Sequence, residues 1–337
     1  MESKYFKTVE FSIKVEKLND YGKYLEKFAH SVRELSIWDI QAGIKDYDNV
    51  LYFPNLTQLN VDNVTSLALL PFVRRHHKLT SVDIGDVKDE GGVIAKNLVY
   101  SILEKNKSIT RLTLSSKLIN DIFGSDVSEV FQFKLEQFNI FSALRTKNVE
   151  KFLLSHGETL KQITIMVMGD VTTRKMMKRE KDFLSIYNIW SKMKVLKKLF
   201  LILIRFKQLF HFNEKFVKSL NLKPNYGIIE VAVQADNEDI KNSLNFLKGI
   251  MLLCPNTEFF RTEFLDMDTL RFLGKSMKKL KVIKCDLMQY GCTELFSELK
   301  QNDPDFKDID LDGIEAAEDE HDFPLRLHEE LENLNIN

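Results

Sequence analysis

One apolar pattern recurs along the whole chain and restricts it to a repeat architecture. The pattern is apolar-x-x-apolar-x-apolar, and position numbers below count from its first residue. Its twelve copies begin at Phe6, Val32, Leu56, Leu79, Ile109, Leu135, Leu160, Leu196, Ile228, Thr257, Leu280 and Phe306. Position four is apolar in every copy, whereas positions one and six fail only in the Thr257 copy. With 44% apolar residues, twelve matches at one position arise by chance roughly once in 20,000 trials.

The spacing of the copies predicts a stacked solenoid of about twelve irregular repeats. From Phe6 to Phe306 the mean period is about 27 residues, which lies in the range of repeat proteins. In an extended strand, positions four and six face inward, while positions three, five and seven face outward. Positions one and nine are expected at the corners of each strand. A single repeat has nothing to bury its apolar face against, so neighbouring repeats must stack.

Stretches with helical spacing separate the predicted strands. Apolar stripes at 21–28, 67–73, 99–103, 149–153 and 270–277 are typical of amphipathic helices, and we expect Gly157 and Gly274 to act as C-caps. Strand, helix and parallel strand in repetition predict an α/β fold. Its parallel sheet should curve along a concave face, with the helices on the convex face. The predicted solenoid covers residues 1–315, followed by an acidic tail or cap at 316–337.

The pattern resembles the LxxLxL core of the leucine-rich-repeat superfamily, in particular ribonuclease-inhibitor-like arrays. The segments at 24–37 and 152–160 are similar to the repeat region of F-box/leucine-rich-repeat proteins. That resemblance implies a substrate-recognition subunit of a cullin-RING ubiquitin ligase. No F-box is recognisable, although this module would precede the repeats. Three interpretations stay open: the module has been lost, the sequence is a fragment, or the chain is an adaptor of another kind, unrelated to ubiquitination.

Sequence motifs of catalysis and metal binding are not found, which predicts a protein without enzymatic activity, cofactor or metal. His76 and His77 are interpreted as polar residues at a turn, and Ser155–His156 as a helix end without triad geometry. The three cysteines form no CxxC pair, which favours a reducing compartment, the cytoplasm or the nucleus. The first residues do not resemble a signal peptide. The most apolar run, 199–204, is too short to span a membrane.

A near-neutral net charge of -1 conceals two oppositely charged regions. Residues 161–222 hold 14 Lys/Arg against 4 Asp/Glu, whereas residues 303–337 hold 2 Lys/Arg against 13 Asp/Glu. The basic run at 174–181 is typical of a solvated helix face, with a partner-docking patch as the alternative. Nucleic-acid binding by the basic region is a less favoured hypothesis, because aromatic residues do not interleave with the cations as stacking platforms would.

The outward positions predict where a protein partner binds, on a chain that acts as a monomer or within a hetero-complex. Large apolar side chains beside cations are typical of interface anchors. The candidate partner-binding residues are Trp38, Phe141, Met166, Lys198, Phe200, Ile202, Phe259, Arg261 and Lys284. The alternative for Phe200 and Ile202 is that a long loop covers them.

Overall fold

A computed structural model describes most of the chain. The described residues are 8–12, 29–38, 52–123, 131–141, 147–168, 187, 190–204, 214–235, 240–288, 294–295, 297–298, 301 and 315–316. They belong to two compact units, Met1–Leu160 and Lys161–Asn337. The predicted helix at 21–28, the basic run at 174–181, the last repeat copy and the residues from 317 onward lie outside the described residues. The prediction of one solenoid over residues 1–315 stays a prediction.

The amino-terminal unit (Met1–Leu160) consists of parallel strands joined by helices. Its strands are β1 Thr8–Ser12, β2 Glu34–Trp38, β3 Gln58–Asp62, β4 Val64–Thr65, β5 Ser81–Ile84, β6 Val87–Lys88, β7 Arg111–Leu114 and β8 Gln137–Phe141. The order β1-β2-β3-β5-β7-β8 forms the main sheet, and β4 pairs with β6 in a second small sheet. A 3-10 helix at Ser66–Leu69 precedes four α-helices: α1 Leu70–Arg75, α2 Ala95–Lys105, α3 Ser116–Ile122 and α4 Lys147–Ser155.

The carboxyl-terminal unit (Lys161–Asn337) has the same organisation. Its strands are β9 Gln162–Met168, β10 Lys198–Ile204, β11 Glu230–Ala235, β12 Phe259–Leu265, β13 Val282–Met288 and β14 Glu315–Ala316. Each pairs in parallel with the next one along the chain. The described helices are α5 Glu214–Ser219, α6 Ile240–Leu253 and α7 Met267–Ser276.

The inward positions of the repeat pattern form the core of each unit, as the sequence predicts. For the ten copies from Val32 to Leu280, the residues at positions one, four and six are at most 3% exposed. The expected helices at 67–73, 99–103, 149–153 and 270–277 are also present. The α/β leucine-rich-repeat fold class is therefore confirmed. Gly274 was expected to end a helix, but α7 continues past it to Ser276 and Met277 is the C-cap.

The two threonines that interrupt the apolar pattern are buried and hydrogen-bonded. Thr257 is fully buried and Thr262 is 3% exposed. The Thr257 hydroxyl donates to the Cys254 carbonyl at 2.7 Å, and the Thr262 hydroxyl to the Phe264 carbonyl at 3.3 Å. Because each hydroxyl has a local acceptor, a threonine can replace an aliphatic residue in the core without an unsatisfied polar group.

Backbone hydrogen bonds at position two connect neighbouring repeats in both units. The Arg33 carbonyl accepts the N–H groups of Thr57 and Gln58 at 2.8 and 2.9 Å. The carbonyls of Thr57, Thr80, Thr110, Lys161, Lys197, Ile229 and Glu258 each accept two N–H groups from the next repeat in the same way. Thr57, Thr80 and Thr110 add a bond each, because their hydroxyls donate to the position-two carbonyl of the preceding repeat at 3.1 to 3.3 Å.

Two buried asparagines hydrogen-bond to backbone groups near helix ends. Each lies three residues before the first residue of a repeat copy. Asn106 is fully buried; its side-chain oxygen accepts the Leu79 N–H at 2.9 Å. Its amide donates to the carbonyls of His76 and Ile102 at 3.1 and 2.8 Å. Asn225 occupies the same position in its own copy, and its amide donates to the carbonyls of Trp190 and Met193. The Asn106 side chain thus provides partners for the Leu79 N–H and the His76 carbonyl, and the Asn225 side chain for the Met193 carbonyl.

The turn after β5 is tied to the end of β3 by the carboxylate of Asp62. The Asp86 N–H donates to Asp62 Oδ1 at 2.7 Å. A Cβ at Gly85 would lie 2.0 Å from the same oxygen, so a side chain at this position would displace the Asp62 carboxylate from its hydrogen bond. The apolar position-nine residues Val64 and Val87 pair with each other in the small second sheet. Their backbone partners are thus provided by strand pairing.

We predict that Asn106→Ala lowers the free energy of unfolding by about 3 kcal/mol. The substitution leaves the Leu79 N–H and the His76 carbonyl buried without the partner that Asn106 provides, while the Ile102 carbonyl keeps the backbone N–H of residue 106. Each such loss costs about 1–3 kcal/mol. Urea denaturation followed by circular dichroism measures the change. Asn97→Ala is the matched control, because Asn97 is exposed on α2, and it should change stability by less than about 0.5 kcal/mol. Equal stability of the two variants would contradict the structural role of Asn106.

Candidate functional site

The outward face of the carboxyl-terminal unit carries a groove of about 790 Å³. Strands β9 to β13 provide most of its lining. Six of the nine candidate partner-binding residues line it: Lys198, Phe200, Ile202, Phe259, Arg261 and Lys284. The geometry thus brings together residues that are 86 positions apart in the sequence, from Lys198 to Lys284.

Alternation along the strands places these side chains at the surface. In β10, Leu199 and Leu201 are fully buried, whereas Phe200 and Ile202 are half-buried on the opposite face. In β12, Phe260 is 1% exposed, whereas Phe259 is 42% exposed and Arg261 is exposed as well. The candidate side chains that line the groove are therefore ones that lie outside the core. Such residues are available for contact with another molecule.

The registers of the parallel strands fix the neighbours of each groove residue. Ala232 of β11 lies directly between Phe200 of β10 and Arg261 of β12, and Arg261 pairs in turn with Lys284 of β13. Phe259 lies beside Glu230, the residue two positions before Ala232 on the same face. Large side chains therefore surround a single methyl group on β11.

Ion pairs neutralise one end of the groove. Lys198 Nζ lies 2.6 Å from Glu230 Oε2, with side chains 45% and 31% exposed. Next to the groove, Lys281 Nζ lies 2.7 Å from Glu258 Oε2. Exposed pairs of this kind contribute at most about 1 kcal/mol to stability. They nevertheless place a carboxylate beside Lys198 and Lys281, which offsets the positive charge of each lysine.

The remaining three candidate residues have other positions. Met166 is half-buried and pairs in register with Ile202, but it does not belong to the lining. Trp38 is half-buried at the end of β2 in the amino-terminal unit, in register with Ser12 and Asp62. Phe141 ends β8 in that unit, and its side chain lies outside the described residues. Their part in partner binding stays a prediction.

Several lining residues were missed by the interpretation of the sequence, among them Ala232 and Glu230. Ala232 was overlooked because a methyl group is not typical of an interface anchor, although its small size leaves space between Phe200 and Arg261. Glu230 was overlooked because acids at outward positions of solenoids are common. Both could have been found from the rule that positions three, five and seven face outward, since Ala232 and Glu230 occupy positions five and three of the Ile228 copy.

Two adjacent histidines at the end of α1, His76 and His77, differ in burial. His76 is the C-cap of α1, as its predicted turn position implies, but it is only 3% exposed, which was not predicted. Its Nε2 accepts the Phe53 N–H at 3.2 Å and its Nδ1 lies 3.3 Å from the Pro71 carbonyl. Burial lowers the pKa of His76 below its usual range. His77 is exposed.

His156 is enclosed by aromatic rings. It stacks on Phe133 with the ring centroids 5.9 Å apart, and Phe152 meets it edge-on at 4.7 Å. Its Nε2 has no hydrogen-bond partner among the described residues. Because burial disfavours the charged ring, the pKa of His156 falls to about 4. The imidazole is therefore neutral at physiological pH and behaves as a core side chain.

Metal binding and membrane spanning find no support among the described residues. No group of three or more His, Cys, Asp or Glu side chains there could hold a metal ion. No described helix combines the length and the hydropathy that crossing a bilayer would demand. Cys254 and Cys285 are buried and take part in no disulfide bond, and burial raises the pKa of Cys254.

Comparisons with known proteins return distant structural likenesses. No protein-family model matches the sequence, and no curated protein does. The chain is similar to a chain in the crystal structure of the Rad7 and Elc1 complex in yeast, with 13% identity, 83% of this chain and 75% of that chain covered, and a TM-score of 0.31. It is also similar to a leucine-rich-repeat protein of Leptospira interrogans, with 10% identity, coverages of 95% and 97%, and a TM-score of 0.24. Because both scores are low, we base the functional proposal on this chain's own residues.

We predict that acidification from pH 7 to pH 5 destabilises the protein partly through His156. The unfolded imidazole has a pKa of 6.5 and the folded one a pKa of about 4. The unfolded state therefore binds the proton first, and stability is lost as the pH falls from 6.5 towards 4. The loss between pH 7 and pH 5 is about 2 kcal/mol. His156→Phe should abolish this part of the pH dependence in urea denaturation, whereas His77→Gln should retain it. An unchanged pH profile in His156→Phe would contradict the assignment.

Proposed function

We propose that this chain is a non-enzymatic protein-interaction scaffold and that the groove of the carboxyl-terminal unit is its principal docking surface. The observation that carries the proposal is the convergence of Phe200, Ile202 and Phe259 with Arg261 and Lys284 in a single groove. Aromatic residues and arginine are enriched in the centres of protein interfaces, where a few such anchors provide most of the binding energy.

The cations of the groove support the binding of a partner. Lys198 is paired with Glu230, and Arg261 is exposed. A guanidinium is planar and can hold a carboxylate through two parallel hydrogen bonds, which suits Arg261 to contact with an anionic group of a partner.

A finer form of the proposal is that the scaffold recognises substrates for a cullin-RING ubiquitin ligase. It rests on the resemblance of segments 24–37 and 152–160 to F-box/leucine-rich-repeat proteins. An adaptor unrelated to ubiquitination is the alternative. A nucleic-acid-associated protein that uses the basic region at 161–222 is a further hypothesis.

We predict that Phe200→Ala combined with Ile202→Ser weakens partner capture by at least about 2 kcal/mol, roughly thirtyfold in affinity. The fold should persist, because the buried neighbours Leu199 and Leu201 are unchanged. Quantitative affinity capture by the tagged chain, compared between wild type and variant, measures the effect. Gln58→Ala with Asn60→Ala is the control; these half-buried outward residues of β3 should have little influence.

The same experiment separates the alternatives. Recovery of an identical partner set by the double variant would place the docking surface elsewhere. Unfolding of the double variant would show that Phe200 and Ile202 are covered and belong to the core. Capture that decreases steeply with salt and disappears after nuclease treatment would favour nucleic acid, because phosphate contacts depend strongly on ionic strength.

We predict that the captured proteins include cullin and RING subunits if the finer proposal is correct. Because the docking groove would bind substrates, the Phe200→Ala/Ile202→Ser variant should lose the substrates and keep the ligase subunits. Mass spectrometry of the captured material measures both groups. A wild-type set that contains partners but neither cullin nor RING subunits would leave the scaffold proposal intact and reject the ligase role.

A further inference from the structure

Ala232 is the smallest outward residue of β11 and lies between the larger side chains of two neighbouring strands. The neighbouring strands present Phe200 on one side and Arg261 on the other, both in register with Ala232. Ile202 and Phe259 lie diagonally next to it, on β10 and β12 respectively. Adjacent strands are about 4.8 Å apart, so the gap between the flanking strands is about 10 Å. That gap has the width of one inserted side chain with a methyl group beneath it.

Two cations next to this depression are not used by the fold. Arg261 and Lys284 are exposed neighbours in the register of β12 and β13. Neither has an ion-pair partner within 4 Å in the part of the chain that the structure describes. Lys198, by contrast, is held by Glu230 at 2.6 Å. The available positive charge is therefore concentrated at position five of β12 and β13.

Acidic residues limit where an anion can lie. Glu263 and Asp286 occupy the next outward positions after Arg261 and Lys284, and Glu263 has an interaction of its own. An anionic ligand group is repelled at position seven and attracted at position five. The charge pattern thus fixes one place for an anion, on the side of Ala232 that faces β13.

The spacing defines the chemistry of the occupant. From Ala232 the two cations lie one and two strands away, which corresponds to about 5 and 10 Å. In an extended peptide, side chains two residues apart point in the same direction and are separated by about 7 Å. A peptide that crosses the strands can therefore place one side chain over Ala232 and the next on the same face between Arg261 and Lys284.

We propose that the groove binds an extended segment of a partner protein in which a large apolar residue and an Asp or Glu lie two positions apart. The apolar side chain lies over Ala232, between Phe200 and Phe259, and the carboxylate accepts hydrogen bonds from Arg261 and Lys284. Charge-assisted bonds of this kind are stronger than neutral ones and add orientation. This inference rests on the proposed function and specifies the partner of the same groove.

Peptide selection on the whole chain tests the proposal. A displayed library of random peptides of about ten residues is the probe, and the selected peptides are then synthesised for affinity measurement. We expect them to share an apolar residue with an acid two positions away. Ala232→Phe should weaken their binding by about tenfold or more, because the new ring fills the depression. The matched control is Asn60→Phe, a ring added at position five of β3 in the other unit, and it should leave binding unchanged.

Charge reversal isolates the role of the carboxylate. Arg261→Glu with Lys284→Glu should weaken the same peptides by about tenfold or more. Replacement of the peptide acid by Lys should restore binding to the reversed variant, which a purely structural effect would not do. Circular dichroism and thermal melting of each variant confirm that the fold is retained.

The outcomes distinguish this inference from the function on which it rests. Selected peptides that lose binding in Ala232→Phe, but lack the acid or ignore the charge reversal, overturn the inference and leave the docking groove in place. Peptides that bind Ala232→Phe as well as wild type, or a library without any enrichment, overturn the inference as well. Partner capture by the Phe200→Ala/Ile202→Ser variant then decides separately whether the groove is a docking surface.

Discussion

The fold depends on the need of each repeat for a neighbour. A single parallel strand leaves its backbone N–H and C=O groups unpaired, and a single apolar face stays exposed to water. Stacking of the repeats meets both needs at once. The position-two carbonyls, such as those of Thr57 and Ile229, accept two N–H groups from the following repeat, and the apolar residues at positions one, four and six become buried. Hydrogen bonding and hydrophobic burial thus select the same arrangement, which makes it cooperative.

This constraint explains why the outward face is free to bind. Because the core uses only every second residue of a strand, positions three, five and seven lie on the opposite face and are not part of the core. In the carboxyl-terminal unit they hold large apolar groups such as Phe200 and Phe259 and the cation Arg261. In the amino-terminal unit the corresponding face contains polar contacts: Asn139 donates to the Thr113 hydroxyl at 2.9 Å. Burial raises the pKa of Asp83, whose register partner is Thr113. The outward residues thus differ between the two units, whereas the buried positions of the repeat are alike.

Much of the fold and part of the candidate site could be predicted from the positions of the repeat pattern. Six of the nine candidate residues line the groove because side-chain alternation is a local property of a strand. The role of Ala232 could not be predicted, since a small residue forms a depression only when its neighbours on other strands are large. The hydrogen bonds of Asn106 could not be predicted either. Its partners lie about thirty residues earlier in the sequence, and they come close to Asn106 only when neighbouring turns stack.

The sequence by itself determined the repeat period, the strands and which face of each strand is buried. These properties depend on side-chain periodicity, which is written in neighbouring residues. Only the tertiary structure decided which outward residues share a groove and which charges remain available. The 2.6 Å ion pair occupies Lys198 but not Arg261 or Lys284. Equal positions of successive copies pair in the sheet although the connecting segments differ in length, so the strand neighbours follow from the repeat pattern. The groove and the ion pairs depend on how side chains of different repeats are arranged against each other, and local periodicity does not contain that information.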